Sequence, residues 1–399
     1  MERFELDVQA LMQKTGLDST QGRHGEVTKQ VTAAQQGRMV EWKALWVEHA
    51  LRKARAMLGK DVPLGSGGYG QVFMGMVGDM RYAIKIDKKR VEADGVTEPG
   101  QMDALKTRAV TTRFFGGGTK SNADLVILRE ARIMSGIEPH PFLIKLVGVC
   151  KAKACIVMEF AAGGDLGSRL RLKSAKRDRT RAMPRPGEPV ELGWVARVKI
   201  AAQLALALQH LHGQQPVICH HDLKPGNILL DSAGCLPNVK LCDFGAAKKL
   251  MGHGGGAKTA TQAVGGNVKE YADERYADPV YLLGNENPFG NRVPFRPHHD
   301  VYSFGLVLLQ VVTGLDVTSP QFLAIRHAGA SKSDVPDPRA DWPPGVWRDL
   351  VRVARKCLAD TDPTRQATGR GRPTATQLAE ELVGIASQQG IQVTRPDAR

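Results

Sequence analysis

Glycines that strip side chains from a loop, and a lysine on the strand behind them, are the first residues here whose types and spacing could do chemistry. The run Leu64-Gly65-Ser66-Gly67-Gly68-Tyr69-Gly70-Gln71-Val72 contains G-x-G-x-x-G-x-V. Its missing side chains let backbone N–H groups approach phosphate oxygens. The residues that follow, 71–76, alternate like a strand. That argues for a hairpin lid over phosphates and against the strand–glycine–helix order of a dinucleotide fold. Next comes Tyr82-Ala83-Ile84-Lys85, an alternating strand that turns a charged lysine inward. An inward ammonium needs an anion, and a nucleotide's α- and β-phosphates would supply one. Glu130, in the helical run 128–134, can form the ion pair that holds Lys85 in place. The long separation of the two is explained by an inserted stretch at 91–124.

Positioning such groups takes two kinds of architecture. Short β-type runs separated by glycine occupy 71–76, 81–86, 143–149 and 154–160, whereas long apolar helices dominate after Gly163, at 194–211 and 301–312. This order predicts an α+β protein of two lobes, a small β-rich one and a larger helical one, with the change near 160–164 and a ligand in the cleft between them. Ahead of both, residues 1–60 read as a polar helix on which Val40, Leu45, Trp46 and Leu51 share a face, suited to a neighbouring domain or a partner. Stretches 91–124, 173–189 and 251–266 are rich in glycine, proline or charge and read as inserted loops. The resulting division is an N-terminal helical extension over 1–60, a domain over 61–386 with lobes 61–160 and 161–386, and a tail over 387–399.

With 399 residues and 42% hydrophobic content the chain can close a core, which excludes disorder throughout. No apolar run is long enough to span a bilayer, and the first residues mix acids and bases, so a soluble, cytoplasmic protein is expected, with the nucleus as the alternative. The six cysteines show no C-x-x-C pairing, and reduced thiols packed as small hydrophobes are expected. A formal net charge of +14 raises nucleic acid or an anionic membrane surface as partners. The most basic stretch, 169–185, has no interleaved aromatic residues to stack bases, so it reads as a solvated loop and both partners are the weaker reading.

The densest motif is His220-His221-Asp222-Leu223-Lys224-Pro225-Gly226-Asn227-Ile228-Leu229-Leu230, followed by Leu241-Cys242-Asp243-Phe244-Gly245. With the glycine loop, Lys85 and Glu130 in order before it, the chain resembles the eukaryotic protein kinases from about residue 61 to 385. The resemblance implies ATP and Mg²⁺, with Mn²⁺ as a substitute, and protein substrates bearing serine or threonine. It makes Asp222 the acceptor or orienter of the substrate hydroxyl proton, Asn227 and Asp243 the metal ligands, and Lys224 the cation that steadies the transferring phosphoryl group. Around the nucleotide it places Leu64, Gly65, Gly67, Gly70, Val72, Ala83, Lys85 and Leu229, with a hinge at Met158-Glu159-Phe160. Asp165 would lie near ribose or substrate, a helix N-cap being an equal reading, and Asp300 would brace the catalytic loop.

Lys224, two positions beyond Asp222, resembles serine/threonine kinases, while residues 276–281 and the tail 347–374 resemble the tyrosine-kinase-like group and plant receptor-like cytoplasmic kinases. Two positions depart from the pattern. His221 stands where an arginine normally precedes the catalytic aspartate, which marks a non-RD kinase whose site should not need phosphorylation at Thr259 or Thr261. Val280 stands where the family has a glutamate that pairs with an arginine, here Arg372, so Glu274 or Glu286 is expected to substitute or the segment to be held differently. The rival functions are a kinase-fold scaffold that binds nucleotide without transfer, and a basic polyanion binder.

Overall fold

The computed structural model describes residues 40–42, 44–58, 63–66, 70–77, 79–87, 122–172, 190–250, 273–286, 295–327, 336–359 and 371–394. They fall into two compact units, one of residues up to 139 with 145–160, the other of 140–144 with 161 onward. The fold class is α+β, a sheet-built unit followed by a helical one.

The first unit contains β1 (Val40–Glu41), α1 (Ala44–Leu58), β2 (Pro63–Ser66), β3 (Gly70–Val77), β4 (Met80–Asp87), α2 (Asn122–Met134), β5 (Leu146–Cys150) and β6 (Cys155–Glu159). Its six strands lie in the order β1-β5-β6-β4-β3-β2. Only the β1–β5 pair is parallel. Strand β4 sits between β3 and β6, so Lys85 faces Val72 on one side and Ile156 on the other. Apolar residues at 47, 50, 51 and 54 recur at helical spacing, and α1 buries all four. Val47, Ala50 and Leu51 share a core with Phe73, Val77, Ile84 and Val157. The approach is close enough to require Gly75, whose added Cβ would stand 2.4 Å from Ile84 Cδ1 and 3.3 Å from Ala50 Cβ.

The single helical face expected before residue 60 is corrected here. Val40 belongs to a strand paired with Gly148, and the Trp42 amide donates to Val149 O at 2.8 Å, so edge pairing ends the chain's freedom to coil. Leu45 is exposed and Leu51 buried, so they do not share a face. Residues 1–39 lie outside the described residues. The strand expected over 143–149 is also divided: Leu143 bridges to Leu241 in the second unit, and β5 begins only at Leu146.

The second unit contains α3 (Leu166–Arg169), α4 (Trp194–His212), β7 (Val217–Cys219), β8 (Ile228–Leu230), β9 (Val239–Leu241), β10 (Lys248–Leu250), α5 (Pro279–Glu286), α6 (Pro297–Thr313), α7 (Pro320–His327), α8 (Val346–Leu358) and α9 (Ala375–Gln388). Helices α4 and α6 are buried on almost every side, as their continuous apolar sequence demands. Helix α9 covers α4 and α8 covers α6. Gly305 permits the second contact, since a Cβ there would come within 2.7 Å of Cys357 Cβ. Arg197, buried in α4, donates to Leu192 O, to Val311 O and to Asp337 Oδ2 at 2.7–2.8 Å, which ties α4 to α6 through satisfied charge. Two short ladders, β8–β9 and β7–β10, carry the loops of chemical interest.

Candidate active site

In the first unit, Lys85 Nζ meets Glu130 Oε2 at 2.7 Å, with both side chains nearly out of solvent. Strand β4 aims the lysine and α2 supplies the acid, so the inward ammonium predicted from alternation finds its anion within the protein. Gly70 lies against this lysine: a Cβ there would stand 3.1 Å from Lys85 Cγ and 3.0 Å from Ile86 O. At Gly65 a Cβ would meet nothing within 4 Å, leaving the backbone of β2 open to an approaching group. Leu64 and Gly65 are exposed, Val72 is half-buried, and Ala83 and Met158 are buried opposite each other across β4 and β6. Glu159 turns its carboxylate back to the Lys145 amide at 2.9 Å, and its own amide donates to Lys145 O at 3.0 Å. Gly67 lies outside the described residues, as do Thr259, Thr261 and residues 91–121, 173–189 and 251–266.

In the second unit the Asp222 carboxylate is held by three donors. Oδ2 accepts from Lys224 Nζ at 2.7 Å and from Asn227 Nδ2 at 2.8 Å, and Oδ1 accepts from the Asp273 amide at 3.2 Å. Asn227 Nδ2 also donates to Asp222 O, so the amide oxygen is the atom Asn227 can offer to a cation. The β8–β9 ladder pairs Ile228 with Leu241, and the Cys242 amide donates to Asn227 O at 2.9 Å. Asn227 and Asp243 therefore flank the same end of one hairpin. Asp243 adopts a left-handed backbone conformation, φ 66°, with its carboxylate accepting from the Gly245 amide. An amide oxygen and a carboxylate are hard donors that suit Mg²⁺. Leu229 of β8 is half-buried, and its bridge partner is Asp165.

The loop bearing Asp222 takes its shape from one buried carboxylate. Asp300 on α6 accepts from the His220 and His221 amides at 2.8 Å each and from His212 Nε2 at 2.9 Å. Burial opposes its charge, but the His212 hydrogen bond and the amides hold its carboxyl below the usual range. His220 accepts from the Asp222 amide at Nδ1 and so donates from Nε2 to Cys242 O at 3.0 Å, linking the loop to the residue before Asp243. The bracing role expected of Asp300 is present in the geometry.

His221 has φ 68° and packs its ring 4.0 Å from Phe295 and 5.2 Å from Tyr281, centroid to centroid. Burial first, and Lys248 second, depress it to about 3. It is a neutral imidazole, so no cation stands at this position.

Three expectations change. Asp278 takes the pairing with Arg372, and His299 Nδ1 joins it at 3.0 Å. It takes the compensating role in place of Glu274, which is exposed while Asp278 is buried at the start of α5; the side chain of Glu286 lies outside the described residues. Arg169, the first residue of the presumed solvated loop, is buried and donates to the carbonyls of Gly163, Val190, Ser232 and Gly234. Arg171 next to it pairs with Glu191. Cys235 is exposed and Cys242 half-buried, so only Cys150, Cys155, Cys219 and Cys357 pack as core thiols. Asp165 accepts from the Ser168 amide and hydroxyl, which is the N-cap arrangement. The amide of Asp273 and the pair Asp278–Arg372 had no motif to announce them, although Asp278 before Pro279 carries an N-cap signature.

Comparison with known proteins gives a match to the protein kinase domain over residues 59–380. U-box domain-containing protein 33 of Arabidopsis thaliana is 29% identical over 77% of this chain and 30% of its own length. Wall-associated receptor kinase-like 14 of Arabidopsis thaliana is 30% identical over 65% of this chain and 33% of its own. Salt tolerance receptor-like cytoplasmic kinase 1 of Oryza sativa subsp. japonica is 29% identical over 64% of this chain and 66% of its own. The chain thus spans about a third of the first two relatives.

Proposed function

The chain belongs to the protein kinase domain family, and from that premise we propose that it transfers the γ-phosphate of ATP to serine or threonine hydroxyls of protein substrates. The observation that supports this best is the Asp222 carboxylate, held by Lys224 and Asn227 on one oxygen beside the hairpin end where Asp243 follows. In this reading Asp222 orients the substrate hydroxyl and receives its proton, and Lys224 steadies the moving phosphoryl group. Asn227 and Asp243 hold Mg²⁺, which when bound neutralises charge on the phosphates. Lys85, fixed by Glu130, meets the α- and β-phosphates. Gly65, Gly67 and Gly70 carry no side chains to keep phosphates from the backbone, and the hinge Met158-Glu159-Phe160 meets the adenine through backbone groups, with the Met158 side chain bordering the pocket behind it. Lys224 favours serine and threonine over tyrosine. We also propose a cytoplasmic setting, on the likeness to a receptor-like cytoplasmic kinase. Among the described residues no helix is long and apolar enough to cross a membrane.

The test is incubation of the full chain with radiolabelled ATP, Mg²⁺ and generic protein substrates, beside Asp222→Asn and Lys85→Met. Label on serine or threonine is expected, reduced about 10²–10⁴-fold when Asp222 loses its charge. Unlabelled substrate with ATP binding intact would make the protein a nucleotide-binding scaffold instead.

A further inference from the structure

Cys150 and Cys155 are directly opposed residues at the closed end of the β5–β6 hairpin, joined by the turn 151–154. Both are free thiols with no solvent exposure, and the Cys155 thiol hydrogen-bonds to the Cys150 sulfur. The Ala152 and Lys153 amides also donate to Cys150, so the turn places two N–H groups on the Cys150 sulfur, where Cys155 receives only the amide of Cys150. Lys153, which pairs with Glu48 of α1 at 2.6 Å, adds positive charge beside it. The hydrogen bond from Cys155, then the amides, outweigh burial and bring Cys150 down to about 7, while the same bond and burial push Cys155 up.

The geometry points to Cys150 and Cys155 as a peroxide-responsive dithiol that closes to a reversible disulfide within the sheet, with Cys150 as the attacking sulfur. Directly opposed strand residues lie about 4.5–5.5 Å apart at Cα, inside the range a disulfide bridges but at its short end. A bond formed there is open to thiol–disulfide exchange when the hairpin end opens, which makes it reversible and not a permanent staple. The oxidant is hydrogen peroxide, small enough to enter when the hairpin end opens locally next to the exposed Lys151 and Ala152. The Cys150 thiolate attacks one peroxide oxygen, the O–O bond breaks, and the departing hydroxide takes up the Cys150 proton as water. Cys155 then releases its proton and attacks the Cys150 sulfenic acid sulfur. The S–O bond breaks, and the second hydroxide leaves as water with that proton. Two thiols give two electrons to one peroxide, yielding one disulfide and two waters. The bond would sit one position from Ile156, the strand neighbour of Lys85.

The experiment treats the full chain and a Cys235→Ser chain with peroxide, then reads intact mass and peptide maps with dimedone as a sulfenic acid trap. In Cys235→Ser, loss of two hydrogens with a Cys150–Cys155 linked peptide is expected, reversed by dithiothreitol. Adding Cys155→Ser should leave Cys150 carrying one dimedone, and adding Cys150→Ser should leave Cys155 unlabelled. Two free thiols at 150 and 155, after a dose that oxidises the exposed Cys235 of the natural chain, would overturn the proposal. So would dimedone on Cys155 in place of Cys150. The Cys235→Ser measurement alters no buried position and does not depend on kinase activity, so a folding defect cannot mask it.

Discussion

Asp222 shares one carboxylate among three donors, and each contact constrains a different part of its task. Lys224 and Asn227 sit on Oδ2, so removing either should leave the other to hold the carboxylate while losing its own role. Lys224→Ala is expected to lower kcat more than it raises KM for ATP, read from steady-state kinetics at saturating and limiting ATP. His221 gives a second residue-level expectation. Its folded-state pKa, about 3, is depressed below the ordinary 6.5. The unfolded chain therefore binds this proton first as pH falls. Stability from keeping the ring neutral is complete above pH 6.5 and is lost progressively as pH drops toward 3. His140 and His298, each held near 4 by burial, add to the same slope. His221→Phe should remove about 2 kcal/mol of the stability lost between pH 7 and pH 5, measured by denaturant unfolding at both values. The candidate site residues around Asp222 could be named because they lie in contiguous motifs. The burial of His221 was not legible, since its aromatic surroundings come from Tyr281 and Phe295, far along the chain.

At the scale of elements, the start of α5 is held to the segment before α9 by Asp278 and Arg372, with His299 of α6 as the third member. Asp278→Ala strips a buried guanidinium of its partner and should cost about 3–5 kcal/mol, whereas Glu274→Ala should cost under about 1 kcal/mol. Thermal unfolding of the two variants checks this, and equal losses would return the role to Glu274. The exchange of acids escaped sequence reading because a pairing across the unit has no periodicity, and Val280 alone suggested a missing bond. Arg169 escaped for a related reason: four backbone carbonyls solvate it, and carbonyls leave no trace in residue types. Strands β3 and β4 and helices α4 and α6 were legible because alternation or continuous apolarity runs through each. Strand β1 was not, because two residues are too short to show a period. Val47 fills the space between α1 and β3, and Val47→Ala should destabilise by about 2 kcal/mol.

For the whole molecule, the turnover from sheet to helix falls between residues 160 and 161, where the apolar alternation stops and Gly163 and Gly164 follow. That boundary could be read because two periodicities meet there. Placement of α1 could not, for an amphipathic helix does not say which surface it will cover; its match to the open face of β3 appears only in three dimensions. If the proposed function holds, ATP with Mg²⁺ binds the folded chain and not the unfolded one. At 100 times its Kd it should then raise stability by about 2.7 kcal/mol, and Lys85→Met should abolish the rise in unfolding midpoint.

Asp300 imposes an order on synthesis. The amide of His220 emerges from the ribosome 80 residues before the carboxylate that shapes its loop. Until α6 has been made and has docked on β7, the nascent chain holds the sequence of the Asp222 loop without its folded conformation, and the loop-closure entropy of that long separation is still unmet. A growing polypeptide of this kind therefore lacks the shaped loop until residue 300 has been made.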